Sequence, residues 1–452
     1  MKRIVFSIIA AVGLASTTMA GGLLTNSNQS ASFLRNPGRE AVIDIDGVYV
    51  NPAGVAFMNK GFHFGLTGMN AHQSRDVVTT FPTLGYNMEN PGQTSRRYKG
   101  DALAPVAPCF SAAYVWDRWT VGAHFAFGSG GGRCEYKQGI GSIESAYSAL
   151  LMSTFGSMGV TGYKMESYMK GAVYHYCVSL GTSYKVLDNL SVAGGLRMVN
   201  ALSNYTGYVR DIQLYKGGVY DPNVSGYCLP YYVNMDTDQK GIGWTPYLSV
   251  DWKLNEHWNF AAKYEFKTRL RMENDTKEMT APDLAKPVLA KFDESQNKTI
   301  AEDLPAILTA GVQYSPISTV RLSTGWHYYF DKQATKFQHK EDMVEKGSME
   351  FTWGAEWDCL KWLTASAGWQ TTCYRLKEGY MSDMDFALSS NLFGLGVRLH
   401  VADFCSVDLS YFKSFYKRRD VETANYMGSG FSKNDHYVRD NYTFGLGVNF
   451  DF

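Results

Sequence analysis

The sequence predicts an all-β protein: a transmembrane antiparallel β-barrel of about fourteen strands preceded by an N-terminal plug segment. Three observations carry that reading. The chain opens on what reads as an export signal. From about residue 61 to the last residue, large apolar side chains alternate with small or polar ones. The connections between alternating runs sort into two kinds, very short and long, and sandwiches have no reason to sort them so.

Residues 1–20 carry the signal. Lys2 and Arg3 form its positive end, Ile4 to Ser16 its apolar core, and Thr18-Met19-Ala20 a small-x-small cleavage site before Gly21. No Cys stands at the cut, which excludes a lipoprotein signal. Beyond it no run of 18 apolar residues occurs, so helical spans are excluded. Mean hydropathy is −0.24. A barrel hides its membrane signal, because lumen-facing residues dilute the lipid-facing ones. The chain has 452 residues, 43 of them basic and 43 acidic, so its formal charge is zero. That argues against nucleic acid or another polyanion as partner. Tyr (30) and Phe (25) are abundant and Pro (13) is scarce, which suits strands and aromatic girdles. The seven Cys show no zinc spacing and read mostly as small apolar residues.

Residues 21–60 lack strand alternation. Asn36-Pro37-Gly38 and Asn51-Pro52-Ala53 are turn-formers, and the segment is a candidate plug. From Gly61 the hairpins follow. Short turns are predicted at Asp117-Arg118, Asp188-Asn189, Asn255-Glu256, Pro316-Ile317-Ser318, Cys359-Leu360-Lys361 and Ala402-Asp403-Phe404. They join twelve strands, and a first strand near 61–75 and a last near 438–452 bring the total to about fourteen. Long connections are predicted near 76–102, 128–165, 208–240, 274–301, 332–347, 378–386 and 419–436. Short turns then mark the periplasmic side and long loops the exterior.

The period of two assigns faces. Strand 3 sets Trp119, Val121, Ala123, Phe125 and Phe127 outward against Thr120, Gly122, His124 and Ala126. Strand 7 sets Trp258, Phe260, Ala262, Tyr264 and Phe266 against Asn259, Ala261, Lys263, Glu265 and Lys267. Strand 12 sets Phe393, Leu395, Val397 and Leu399 against Gly394, Gly396, Arg398 and His400. A Lys on the lipid face costs about 2–4 kcal/mol near mid-membrane, so Lys263 belongs inside. Trp119, Trp258 and Trp362 lie beside short turns, where a periplasmic girdle is expected. In the last strand Tyr442, Phe444, Leu446, Val448, Phe450 and Phe452 share one apolar face, and the chain ends on the aromatic Phe452.

The chain resembles the FadL family of outer-membrane transporters for long-chain fatty acids and other hydrophobic compounds. The resemblance rests on the signal peptide, on Asn51-Pro52-Ala53 after AVIDIDGVYV with Asp44 and Asp46 ahead of it, on about fourteen strands, on the long loop after strand 3 and on the terminal Phe. It implies three parts: a signal at 1–20, a hatch at 21–60 plugging the lumen, and a barrel at 61–452. It implies passive uptake by a monomer in the Gram-negative outer membrane, among lipid and lipopolysaccharide, with Phe452 read by the barrel-assembly machinery. It implies no cofactor, no metal and no chemical step. An inward kink of strand 3 would open a lateral exit, and Phe127, Gly128, Gly130 and Gly131 stand there, where Gly permits a bulge.

Two more sites are expected. Ile143, Tyr147, Leu150, Leu151 and Phe155 form an apolar helical face in the loop 128–165, read as a landing site for substrate. Arg197 and Lys263 face the lumen and are candidates for holding a substrate carboxylate; the competing reading pairs them with other lumen charges. Where the family's basic ligand residue would lie on strand 5 this chain reads Ala201-Leu202-Ser203, which leaves neutral or aromatic hydrocarbons open. Two rival classes remain. An outer-membrane hydrolase would use Ser with His124, His327 or His400, but no GxSxG occurs. A general porin needs no plug.

Overall fold

The computed structural model describes residues 23, 27, 29–281, 283 and 290–452. The signal at 1–20 lies outside them. From Gly61 the chain forms fourteen antiparallel strands, each paired with the next. They are β1 (Gly61–Thr80), β2 (Ser95–Val115), β3 (Trp119–Tyr136), β4 (Gly162–Leu187), β5 (Leu190–Lys216) and β6 (Val233–Lys253). β7 runs through Trp258–Glu265 and resumes at Arg271–Thr280; β8 comprises Thr299–Ala301 and Ile307–Ile317. Then follow β9 (Val320–Tyr329), β10 (Val344–Leu360), β11 (Leu363–Leu376), β12 (Ser390–Ala402), β13 (Cys405–Tyr416, continued by Arg419–Thr423) and β14 (Lys433–Asp451).

β14 pairs with β1 from His63–Asp451 to Thr80–Asn434, which closes the barrel. Closure reaches the last residue: the Phe62 amide donates to the Phe452 carbonyl at 3.0 Å and the Phe452 amide to Phe62 at 2.8 Å. Gly61 makes room for this at φ +127°, since a Cβ there would collide with the Phe452 carbonyl oxygen.

Three of the six short turns fall where the sequence places them, and the other three lie one or two residues later, at Ser318-Thr319, Lys361-Trp362 and Asp403-Phe404, with Ile317, Leu360 and Ala402 still in strands. The strands are longer than expected. β1 continues to Thr80, β4 has 26 residues and β5 has 27. They run on past the apolar band into a crown on the long-loop side. There both faces carry polar groups, so alternation no longer marks a strand.

The outside is apolar. Leu66, Leu180, Leu248, Leu395 and Leu446 are all exposed, Leu180 by 61%. Trp119, Trp258, Trp362, Phe404 and Phe452 are exposed beside the short turns and form the lower girdle. The interior inverts this. Thr120, His124, Arg197, Asp251, Lys263, Glu265, Glu356 and Asp408 point inward and are buried. No helix among the described residues is long and apolar enough to cross a membrane.

Candidate functional site

Residues 29–58 lie inside the barrel, touched by strands from every side. Helix α1 (Ala31–Arg35) is capped by Ser30, whose hydroxyl accepts from the Phe33 amide. From its end Arg35 reaches Glu356 on β10 at 2.7 Å and Asp408 on β13 at 3.0 Å. The expected acidic pair clamps the segment. Arg39 donates to Asp44 at 2.8 Å and to Asp46 at 2.6 Å. Arg398 on β12 then bridges Asp44 at 2.9 Å and Asp408 at 2.8 Å, which ties the clamp to the wall. On the other side Glu40 meets His327 at 2.9 Å, and the second ring nitrogen of His327 meets Glu350 at 2.9 Å. These charges are buried and multiply paired, as a charge out of water requires.

Asn51-Pro52-Ala53 closes a tight turn after α2 (Gly47–Val50). The Asn51 side-chain oxygen accepts from the Gly54 amide at 3.2 Å, and its Nδ2 donates to Asp251 on β6 at 2.5 Å. Pro52 has no amide to satisfy, and the Ala53 carbonyl accepts from Ser191 on β5 at 2.5 Å. The triplet is thus a buried turn that fastens the plug to β5 and β6.

Arg197 and Lys263 are not open cations. Glu265 lies 2.5 Å from Arg197 and 2.7 Å from Lys263, and Lys263 also donates to the Tyr49 carbonyl at 2.7 Å. Both face the lumen, but they carry the plug and are neutralised by a neighbouring wall carboxylate. This is the pairing with another lumen charge that the sequence offered as the competing reading. His124 is taken up by the plug as well: it meets Gln29 at 3.0 Å and Ser111 at 2.9 Å, and stacks on Tyr49.

The wall ladder is interrupted at two seams among the described residues: between β6 and β7, where pairing passes from Tyr247–Glu265 to Lys240–Glu273 across the interruption of β7, and between β2 and β3. β2 and β3 pair from Val115–Thr120 up to Phe110–Phe125, and again at Asp101–Glu135 and Gly100–Tyr136. Between these, residues 102–109 have no partner across the seam among the described residues. β3 keeps β4 only by adding residues. Phe127 faces Tyr176, Ser129 faces His175 and Gly132 faces Val173, so two bulges fall between 127 and 132. Gly132 takes φ +69° there. Gly128, Gly130 and Gly131 all lie within this stretch. β2 adds a bulge against β1 between Ala104 and Ala107. Sequence reasoning missed Pro105 and Pro108, which each remove a ladder donor and were the available sign that β2 behaves here as an edge.

Phe127 stands just before these bulges, still in unbroken register with β4. Its parity placed it on the lipid face, but it is buried with Phe33 and Leu34 of the plug, Met69, Ala107, Leu392 and Phe412. Outside the same seam, Leu103, Val106 and Phe110 are exposed. Apolar side chains therefore line both faces of the break.

The crown holds the loop helix α3 (Gly141–Phe155). Its Ile143, Tyr147, Leu151 and Phe155 are buried against Tyr98, Tyr163, Val209 and Val233, and Leu150 is half-buried. Glu144 anchors the helix, accepting from Asn87, Arg96 and Tyr98, each at 2.7 Å. The face expected to receive substrate is thus turned inward. Moderate exposed apolar groups lie instead at the tip, on Met158, Val219, Tyr220, Tyr227 and Leu229.

Fold and site together define a fourteen-stranded transmembrane barrel with residues 29–58 buried against its inner wall. This is the fold of FadL-type outer-membrane channels. A FadL homologue from Pseudomonas aeruginosa superposes with a TM-score of 0.66 at 14% identity, covering 96% of this chain and 100% of that one. The toluene transporter TodX of P. putida gives 0.55 at 12% identity, covering 90% and 94%. The Ralstonia pickettii toluene transporter TbuX gives 0.54 at 13%, covering 97% and 99%. No family model matches the sequence, and no curated protein matches it. Among the described residues no group of His, Cys, Asp and Glu is arranged to hold a metal.

Proposed function

We propose that this protein is a passive channel of the FadL type, carrying small hydrophobic molecules through the outer membrane of a Gram-negative bacterium without cofactor or chemical step. The observation that carries this reading is the break between β2 and β3, greasy on both faces and sealed from within by Phe33, Leu34 and Phe127. A water-filled porin has no use for such a seam. The structural neighbours named as toluene transporters support an apolar cargo.

Substrate first lands on the crown tip around Val219, Tyr220, Tyr227 and Leu229. It then enters the upper lumen past α3. A shift of the hatch moves Phe33 and Leu34 away from Phe127, and the molecule leaves sideways between β2 and β3 into the bilayer. Transfer of apolar surface out of water drives each stage, at about 25 cal/mol per Å². The protein works as a monomer surrounded by lipid and lipopolysaccharide, and Phe452 is the residue offered to the barrel-assembly machinery.

N-phenyl-1-naphthylamine, a neutral apolar fluorophore, reads this directly. Cells expressing the chain are expected to take it up faster than cells with an empty vector. Equal rates, with the barrel verified in the outer membrane, overturn the reading.

A further inference from the structure

The outer surface of the crown is not evenly charged. On the face made by β4 to β7, exposed cations are matched by carboxylates. Arg210 lies 3.1 Å from Glu166, Lys277 2.6 Å from Asp238 and Lys240 3.5 Å from Glu273. On the face made by β10 to β13 they are not. Lys346 on β10 and Arg375 on β11 are direct cross-strand partners, and both are exposed. Exposed Lys377 stands just past the end of β11. Arg419 donates to the Leu376 carbonyl at 3.1 Å, which draws the outer part of β13 against the end of β11, above the start of the shorter β12. That contact sets the exposed Lys417 and Arg418 beside the other three.

Among the described residues none of these five cations is ion-paired. Glu345 and Glu378 adjoin the group in sequence, and Asp420 is taken by His436 at 2.5 Å, so the patch stays positive. Like charges directly opposed on a strand pair repel. Gathered on an exposed face, they make a surface complementary to an anion outside the protein.

The wall beneath says what kind of anion. Lower on the same strands stands an outward aromatic shelf. Trp353 and Trp369 stack at 4.7 Å, Trp369 and Phe393 at 5.8 Å, and Phe415 continues the row 6.0 Å from Phe393. All four rings are exposed. At its upper edge Trp369 and Thr371 both donate to the Asn391 side-chain oxygen, at 3.2 and 2.9 Å. Rings, then amide and hydroxyl groups, then cations is the order in which a barrel surface passes from hydrocarbon to headgroups. Beside the shelf the outer wall hollows into an apolar groove of about 620 Å³, with Trp252, Phe260, Trp326 and Phe351 around Ala262 and Ala310. The groove offers a place to saturated chains and none to a polar head. The long loops put the patch on the exterior side, where the leaflet of a Gram-negative outer membrane is lipopolysaccharide. Its anchor, lipid A, carries phosphates on a sugar core above several acyl chains.

We propose that Lys346, Arg375, Lys377, Lys417 and Arg418 form a docking surface for the phosphates of lipid A, whose acyl chains lie on the Trp353–Phe393 shelf and in the adjoining groove. A guanidinium fork matches two phosphate oxygens, and the lysines add point charges around it. The surface is on other strands than the β2–β3 break and faces outward, so it stands whether or not the barrel carries a cargo.

Two probes with the same acyl chains separate the phosphates from the rest: bisphosphorylated lipid A and lipid A with its phosphates removed. Each is titrated into the full-length protein in neutral detergent at pH 7.5 and read by equilibrium binding. The phosphorylated form is expected to bind roughly tenfold or more tighter, because each cation near an anionic lipid adds to the attraction. Arg375→Gln with Arg418→Gln is expected to erase most of that margin. Lys346→Gln alone, which only relieves the opposed charge, is expected to narrow it severalfold and serves should the double variant not assemble. Arg210→Gln with Lys277→Gln, on the matched face, is expected to leave it whole. Equal affinity of the two probes, a margin that survives Arg375→Gln with Arg418→Gln, or one lost as fully on the matched face overturns the site. Release of lipid A by millimolar inorganic phosphate marks a site for the free anion and overturns docking of the lipid.

Discussion

Deletion of residues 21–57 is expected to turn a barrel that conducts almost no ions into an open pore, seen as a large rise in single-channel conductance in a planar bilayer. The plug fills the lumen by charge pairing. Arg35 alone meets Glu356 and Asp408, and Asn51 meets Asp251. With the segment gone, water enters and solvates those carboxylates, and the hydrogen-bonded wall persists because β14 closes on β1 without the plug's help. A milder change points the same way. Arg35→Ala removes one partner from each of two buried carboxylates, and because Glu356 keeps Arg321 and Asp408 keeps Arg398, it weakens docking by less than the about 3–5 kcal/mol of a wholly broken buried pair. It should therefore give flickering rather than steady conductance. Unchanged conductance in the deletion variant contradicts the plug.

Closing the wall break should abolish uptake while leaving the barrel assembled. Between Phe127–Tyr176 and Gly132–Val173 the register of β3 against β4 shifts by two residues. Deleting Gly130 and Gly131 removes both extra residues, so that β3 runs straight and lies back along β2. Replacing Pro105 and Pro108 by Val in the same chain restores the missing donors of β2. The variant is expected to retain binding of an apolar probe and its heat-modifiable mobility on gels, and to lose uptake of N-phenyl-1-naphthylamine. Uptake at the unaltered rate contradicts a lateral exit between β2 and β3.

Much of the barrel was legible because period two and turn chemistry are local. Asp117-Arg118 and Asn255-Glu256 mark hairpins without knowledge of what the strands pack on, and Leu395 and Leu446 show their face by parity alone. The same logic failed at Phe127. It follows the outward parity of Phe125 in sequence, but it is buried in a cluster that includes Phe33 and Leu34. Inward direction was likewise readable for Arg197 and Lys263, while their neutralisation depends on Glu265. That residue is two positions from Lys263 on the same face, so its signal was present. The apolar face of α3 was visible from its spacing, but spacing cannot say whether a face meets solvent or the crown's own core.

One paired measurement bears most directly on the central claim. The protein is reconstituted into vesicles, and ion current and transfer of a neutral apolar probe are recorded under the same conditions. A plugged conduit with a side exit transfers the probe while holding ion current near that of protein-free membrane. A steady ion current with no probe transfer is the behaviour of a general porin, and contradicts it.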